Sequence, residues 1–440
     1  MTGGNSKLVA NGGGANSKLP LLFPRKGEKQ QQKLTVDSFL RMKWYTLRVL
    51  LLSEFVLLGS AGNMVYMIYA GAAPKTVSCV GTNTTITDVC KNHPIDWRNQ
   101  DCEIDPHYEF RSINVEFDHL CGETTLVKSS ISIQMAGVLI GAIFWGHISD
   151  SQGRKAALVP CFTIMSLLSL ACSYSWDLVS FTIIRTLLAF FNGGAVSIYA
   201  VYKTEHLPHK HRFLIASIIA WSPNFILLNG IAYLTGEWRL FQRVLFAISA
   251  PAFFFFFTVS ESPRFLIQRG KLAEARAVMA RMQEVDGVSD VKKDAMNRMI
   301  DGEHERLAQR ERKARRYNIF ALFRFRELAI PTVVFCFGIL GTSMISFGIL
   351  FFLDSLSGSL FLNSVYLGLL RWTINIASGL ADFKLSWMTR RVLHTSTLMM
   401  AASMLMTIAT LHFMGLADQF SEAIRIFTLV AAACCSQVCE

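Results

Sequence analysis

Arg371, Asn375, Ser378 and Asp382 recur at i, i+4, i+7 and i+11, so one helix would carry all four on a single face of an otherwise apolar run. An ionisable group in hydrocarbon is costly and is expected to face a cavity or a partner. The chemistry open to such a stripe is recognition of a small ionic solute, without bond making. Arg185, Asn192 and Tyr199 repeat the pattern at heptad spacing, and Glu54 stands inside another apolar run. Arg371 is read as facing a central cavity and attracting an anionic or carboxylate group, against internal pairing with an acid such as Glu54 or snorkelling to an interface. For Arg185 and Glu54 a structural role leads. Trp221, Tyr233 and Trp372 could hold an organic cation by cation–π attraction, and interfacial anchoring explains them equally well.

A second set of charges stands at the ends of apolar runs. Gly146, Asp150, Gly153, Arg154 and Lys155 lie between the second and third of them, Glu205 and Arg212 follow the fourth, and Glu261, Pro263 and Arg264 follow the sixth. Gly146 is expected to let two helices approach closely, Asp150 to pair with Arg154 or a neighbouring helix, and Gly153 to permit the tight turn. Pairs in a partly shielded interface, each worth about a few kcal/mol, can close and reopen between two states of similar energy. These residues are therefore gating candidates. Catalysis has no comparable footing, since no metal-ligand cluster, nucleophile motif or phosphate loop occurs and Gly12-Gly13-Gly14 lies in a polar tail without a P-loop lysine. Neither a metal nor a cofactor is expected, and an enzyme or an ATP-driven pump is disfavoured.

The elements that would position these residues are membrane spans. Of 440 residues 52% are hydrophobic and 17% charged, against about 25% charged in ordinary soluble domains. The apolar residues gather in stretches of about twenty, the length that crosses a roughly 30 Å hydrocarbon layer. Six such runs occupy Tyr45–Tyr69, 129–148, 156–175, 179–202, 213–234 and 240–259; four more occupy 328–353, 361–383, 395–414 and 422–438, of which the eighth and tenth each carry an arginine. Ten runs exclude a seven-helix receptor. The reading is an all-α membrane protein with a polar tail 1–44, a six-helix part 45–259 that includes a polar segment 71–128, a charged block 260–327 and a four-helix part 328–440. The block 260–327 is expected to lie as amphipathic helices on the lipid surface or to form a solvated linker.

Charge sets the orientation. Residues 1–48 carry nine Lys/Arg and two acids, 260–326 carry sixteen and ten, and 71–128 carry five and nine. Basic loops stay on the cytosolic side, so the amino terminus and central block are read as cytosolic and 71–128 as external, with the plasma membrane the expected location. The net charge of +11 is thus used at the lipid surface, and no nucleic-acid partner is expected. Cys79, Cys90, Cys102 and Cys121 fall in 71–128 together with the glycan acceptor Asn83. An even set of cysteines in an oxidising compartment implies two disulfides, with three pairings open. The oligomeric state is left open.

The loop from Gly146 to Lys155 resembles the signature of the major facilitator superfamily, G-x-x-x-D-R-x-G-R-R/K, with Ser151 in place of the usual arginine. Three further stretches resemble the organic cation, organic anion and carnitine transporter family within it. These are the acidic lead-in Glu116–Glu123, the pair Glu205 and Arg212, and Glu261-Ser262-Pro263-Arg264-Phe265-Leu266, where Phe265 replaces a tryptophan. Gly379 to Asp382, followed by Arg390 and Arg391, looks like a degraded repeat of the loop motif, with Thr389 where glycine is usual. The resemblance implies two halves of six helices each and movement of small organic ions by alternating access, an anion or zwitterion slightly ahead of a cation. Against that norm the chain reads as six plus four spans, the last two helices absent. A carrier-like membrane protein without transport activity is therefore the alternative.

Overall fold

The computed structural model describes residues 36, 39–40, 42–73, 76–79, 104–119, 124–209, 211–219, 221–287, 293–313, 326–351, 353, 356–384, 390–416 and 418–439. Nearly all of them are helical. The first long helix, α1 (Trp44–Ala70), is followed by a two-stranded antiparallel ribbon of β1 (Thr76–Cys79) and β2 (Ile104–His107), with Thr76 opposite His107. A single turn, α2 (Ile113–Glu116), leads into α3 (Thr124–Gln152), α4 (Arg154–Cys172) and α5 (Leu178–His206). Next come α6 (Arg212–Ile218), α7 (Trp221–Thr235) and α8 (Trp238–Thr258). Three amphipathic helices, α9 (Pro263–Gln268), α10 (Leu272–Val285) and α11 (Lys293–Lys313), precede α12 (Arg326–Phe351), α13 (Leu360–Lys384), α14 (Arg390–Phe413) and α15 (Ser421–Cys439). Disulfide formation by Cys79, Cys90, Cys102 and Cys121 and glycosylation at Asn83 fall on side chains outside the described residues.

Eight stretches are long and apolar enough to cross a bilayer. The helices that carry Arg371 and Arg425, α13 and α15, bring the membrane-length elements to ten among the described residues, counting α6 with α7 as one. In the first six-span part α5 packs along α3 and α4, while α1 lies against α5, α7 and α8; in the second, α15 packs on α12, α13 and α14.

The closest approach in the bundle comes from glycines that the sequence reading passed over. A Cβ on Gly141 would meet the Phe190 carbonyl, one on Gly193 the Val138 carbonyl, and one on Gly137 would stand 2.7 Å from the Thr186 carbonyl. Gly137 and Gly141 form a small-xxx-small pair, the spacing that lets membrane helices meet backbone to backbone. Gly146, assigned that role from the loop motif, has nothing within 4 Å of its would-be Cβ, so the expectation placed the contact one to two turns too far along α3.

The two parts meet along α7 and α13, which run antiparallel. Asn375 Nδ2 donates to Ser222 Oγ (3.4 Å), Gly368 admits Ile226 where a Cβ would stand 2.6 Å away, and Tyr233 packs edge-on against Phe361. In the block after α8, the described residues of 263–287 and 293–313 bury one face against the protein. Met279, Met282, Met296, Met299 and Ile300 are buried, and Asp286 Oδ1 accepts from the Tyr45 amide (3.0 Å), so α10 caps the start of α1.

A candidate gating cluster and solute-binding site

The α3–α4 break is made by Gly153, whose φ of +126° is a conformation that favours glycine. A Cβ there would also lie 2.5 Å from Glu261 Oε2. Glu261 uses the cleared space to reach the start of α4, where it accepts from the amides of Arg154 (3.0 Å) and Lys155 (3.0 and 3.1 Å) and, at 3.4 Å, of Ala156. A carboxylate on the unpaired amides of a helix start meets both the hydrogen-bond need and the helix dipole. Ser262 then caps α9 by accepting from Phe265 N (3.3 Å), with Pro263 at its first position and half-buried Arg264 at its second.

Arg154 is the hub. Its guanidinium pairs with Asp150, donates to Glu205 Oε1 (3.3 Å) and Ser149 Oγ (3.3 Å), and stands over the Phe265 ring at 5.4 Å. Lys155 Nζ donates to the Val259 carbonyl (2.7 Å) at the end of α8. Glu205 turns to Arg154, while Arg212 donates to the Leu207 carbonyl (3.1 Å), so the spacing that joins the two in sequence does not make them partners. Ser151, at the position of the missing arginine, is exposed and bonds only its own helix at Ile148 O (2.9 Å). All these residues lie between 149 and 269, and together they bind α3, α4, α5, α8 and α9 into one body.

Deeper in the bundle two polar groups separate. Arg185 is fully buried and donates to Asn63 Oδ1 (3.1 Å), Asn63 O (2.6 Å) and Gln134 Oε1 (3.4 Å), with its guanidinium 4.6 Å from the Tyr66 ring. Gln242 Nε2 completes that network by donating to Asn63 Oδ1 (2.9 Å) and Ser169 Oγ (2.6 Å). Arg185 is thus held by side chains and backbone of the first six-span part. Asn192 donates to the Ser60 carbonyl (3.1 Å), and the Tyr199 ring lies 5.8 Å from Lys203 Nζ.

The other group crosses between the two parts. Glu54 Oε1 accepts from Asn224 Nδ2 (2.8 Å), and its Oε2 is buried without a hydrogen bond. Two residues before Asn224, Ser222 receives Asn375, and one turn from Asn375 stands the buried Arg371, with Ser378 on the same face. Glu54 and Arg371 therefore flank α7 from opposite parts of the molecule, an acid on the first and a base on the second. Asp382 belongs to α13, but its side chain is outside the described residues. Asn63, Gln134, Lys203, Ser222, Asn224 and Gln242 were missed in sequence. Each is a hydrogen-bonding residue inside or at the edge of an apolar run, the signal that did mark Arg371 and Asn375.

Residues 76–434 match the sugar (and other) transporter family. The chain belongs to that family. As a member of the major facilitator superfamily it has curated relatives among organic-ion carriers. It is 30% identical over 239 residues to solute carrier family 22 member 7 of Bos taurus, covering 53% of this chain and 43% of the relative. It is 28% identical over 295 residues to organic cation/carnitine transporter 4 of Arabidopsis thaliana, covering 62% and 53%. The chain thus spans about half the length of the curated relatives it matches. The fold is that of the proton:xylose symporter XylE bound to 6-bromo-6-deoxy-D-glucose, with a TM-score of 0.62 at 15% identity over 90% of this chain and 81% of that one. Family and relatives are transporters, and the chain is a multi-pass membrane protein of their fold.

Proposed function

We propose that this family member moves small organic ions, anions or zwitterions ahead of cations, across the plasma membrane by alternating access, with its amino terminus cytosolic. The observation that carries the reading is the pair of opposite charges, Glu54 and Arg371, on facing sides of α7 and linked through Asn224, Ser222 and Asn375. Arg371 supplies the charge for a carboxylate. The unbonded Oε2 of Glu54 supplies one for an ammonium. Asn192, Tyr199 and Asp382 are assigned to the same cavity, with Arg185 as its fixed structural charge. The cluster around Arg154, with Asp150, Lys155, Glu205, Arg212, Glu261 and Arg264, holds the cytosolic end of the first half as one gate element.

The test is uptake by cells expressing the chain, offered a labelled organic anion, a cation and a zwitterion. Arg371→Ala should abolish anion and zwitterion uptake and spare cation uptake, while Glu54→Gln should abolish cation and zwitterion uptake. Unchanged selectivity in both would sink the assignment. No uptake of any solute by protein at the cell surface would favour the carrier-like, non-transporting reading.

A further inference from the structure

At the end of the bundle opposite the Arg154 cluster, one carboxylate bridges the two halves. Glu109 Oε2 accepts from Ser359 Oγ (3.0 Å) and from the Leu360 amide (3.2 Å), the first amide of α13. Both sides of this contact are held by further hydrogen bonds.

The stretch that holds Glu109 is stitched to the first half on every side. Arg111 exchanges backbone hydrogen bonds with Gly236 and Trp238, and Asn114 donates to the carbonyls of Gly71 (3.0 Å) and Ala72 (3.1 Å). Glu116 accepts from Trp238 Nε1 (2.8 Å) and Arg239 Nε (2.7 Å), and Arg239 in turn grips the carbonyls of Ser173 and Ser175 after α4. The receiving loop is equally built. Gly358 at φ +97° turns it, and the Ser357 carbonyl accepts from Asn363 Nδ2 (3.1 Å) and Arg425 (3.4 Å).

Beneath the contact, half-buried Phe361 stacks on buried Tyr69 at 5.6 Å and meets the largely exposed Tyr233 edge-on at 5.4 Å, joining α1 and α7 to α13. One turn below Tyr233, Asn229 is 1% exposed, and neither its amide nitrogen nor its oxygen has a hydrogen-bond partner. An unbonded amide in a dry interior is costly, which fits a side chain that meets water in another conformation.

We propose that Glu109 is the latch of an external gate: its carboxylate grips the start of α13 while the outer side is closed and releases it when the outer side opens. The latch rests on the alternating-access reading above. Because the two flanking bodies are each held by their own hydrogen bonds, loss of this contact and separation of Tyr69 and Tyr233 from Phe361 suffice to uncover the space around Asn229.

The experiment uses the full chain in cells with Asn229→Cys as reporter and a membrane-impermeant thiol reagent added outside; the chain without the reporter gives the background. Adding Glu109→Ala should speed labelling about fivefold, the shift expected from losing one charge-assisted contact between two states of similar energy. Glu109→Gln, which keeps the acceptor and loses the charge, should fall between. Ser359→Ala should give about a twofold rise, one neutral hydrogen bond being the smaller loss. Unchanged labelling in Glu109→Ala and Ser359→Ala, or a drop in surface protein with no change in rate, would overturn the latch. Labelling needs no solute, so faster labelling without uptake would support the two-state gate and its latch and reject only the solute assigned to it.

Discussion

Two carboxylates on helix starts, Glu261 at one end of the bundle and Glu109 at the other, use the same chemistry for opposite ends. Glu261 meets three consecutive amides of α4, in a shell that includes Gly153, Phe265 and the Arg154 pairs, and all its partners belong to the first half. Glu109 is exposed, and its carboxylate reaches one hydroxyl and one amide of the second half. Hydrogen bonds to an ion contribute more when water is kept away, and exposed ones contribute little. Many shielded bonds inside one body make a weld. Exposed bonds between bodies make a contact that a change of conformation can break.

The largest contrast should appear on removing each carboxylate. Glu261→Ala is expected to lower the stability of the purified protein by about 2–4 kcal/mol, since several amides at the start of α4 lose their anion at once. Glu109→Ala should cost less than about 1 kcal/mol. Thermal unfolding in detergent measures both. Equal losses would erase the distinction between weld and latch.

Gly153→Ala should come next, at about 1–3 kcal/mol, because its φ of +126° strains any side chain and the added methyl would push into Glu261 Oε2. A loss as large as that of Glu261→Ala would mean that the turn acts wholly through the cap.

The weld was legible in sequence as a set of charges, and its wiring was not. Asp150, Arg154, Glu205 and Glu261 stand at span ends where any reader of charge would mark them. That Glu205 serves Arg154 and not Arg212, and that Glu261 serves backbone amides, depends on which helix ends are neighbours in space. The spans themselves were readable because hydrocarbon thickness imposes a length on every run. The polar interior was readable where a full charge interrupted a run and set a register for neutral neighbours, as Arg371 does for Asn375 and Arg185 for Asn192. Asn63 and Gln242, neutral amides at the centre of the Arg185 network, carry too little polarity to stand out from an apolar stretch. The latch was hidden for another reason: 250 residues separate Glu109 from Ser359, and nothing local in either segment points to the other.

Asp150→Asn tests the weld from its exposed side. The Asp150 side chain is 70% exposed, so its pair with Arg154 should contribute under about 1 kcal/mol. Stability and surface amount should therefore barely move, while solute uptake should slow if the Arg154 hub must change partners during the cycle. Normal uptake would reduce the Asp150 contact to a surface pair and leave Glu205 and Glu261 as the working anions.

The smallest effect is expected at Gly146, and it discriminates between two origins of rigidity at the Arg154 end. If this end were held by close helix approach at Gly146, a methyl there would force α3 away and cost as much as other overpacked contacts, about 1–3 kcal/mol. Open space surrounds that position, and the rigidity described above comes from a carboxylate on backbone amides two to three turns further on. Gly146→Ala should then leave uptake unchanged and raise stability by up to about 1 kcal/mol, because alanine loses less conformational freedom than glycine in a helix. Gly141→Ala, five residues earlier, should do the reverse, because its methyl would meet the Phe190 carbonyl of α5. Destabilisation at both glycines would place a helix neighbour against Gly146 in a second conformation, and the Arg154 end would no longer be a weld of one half alone.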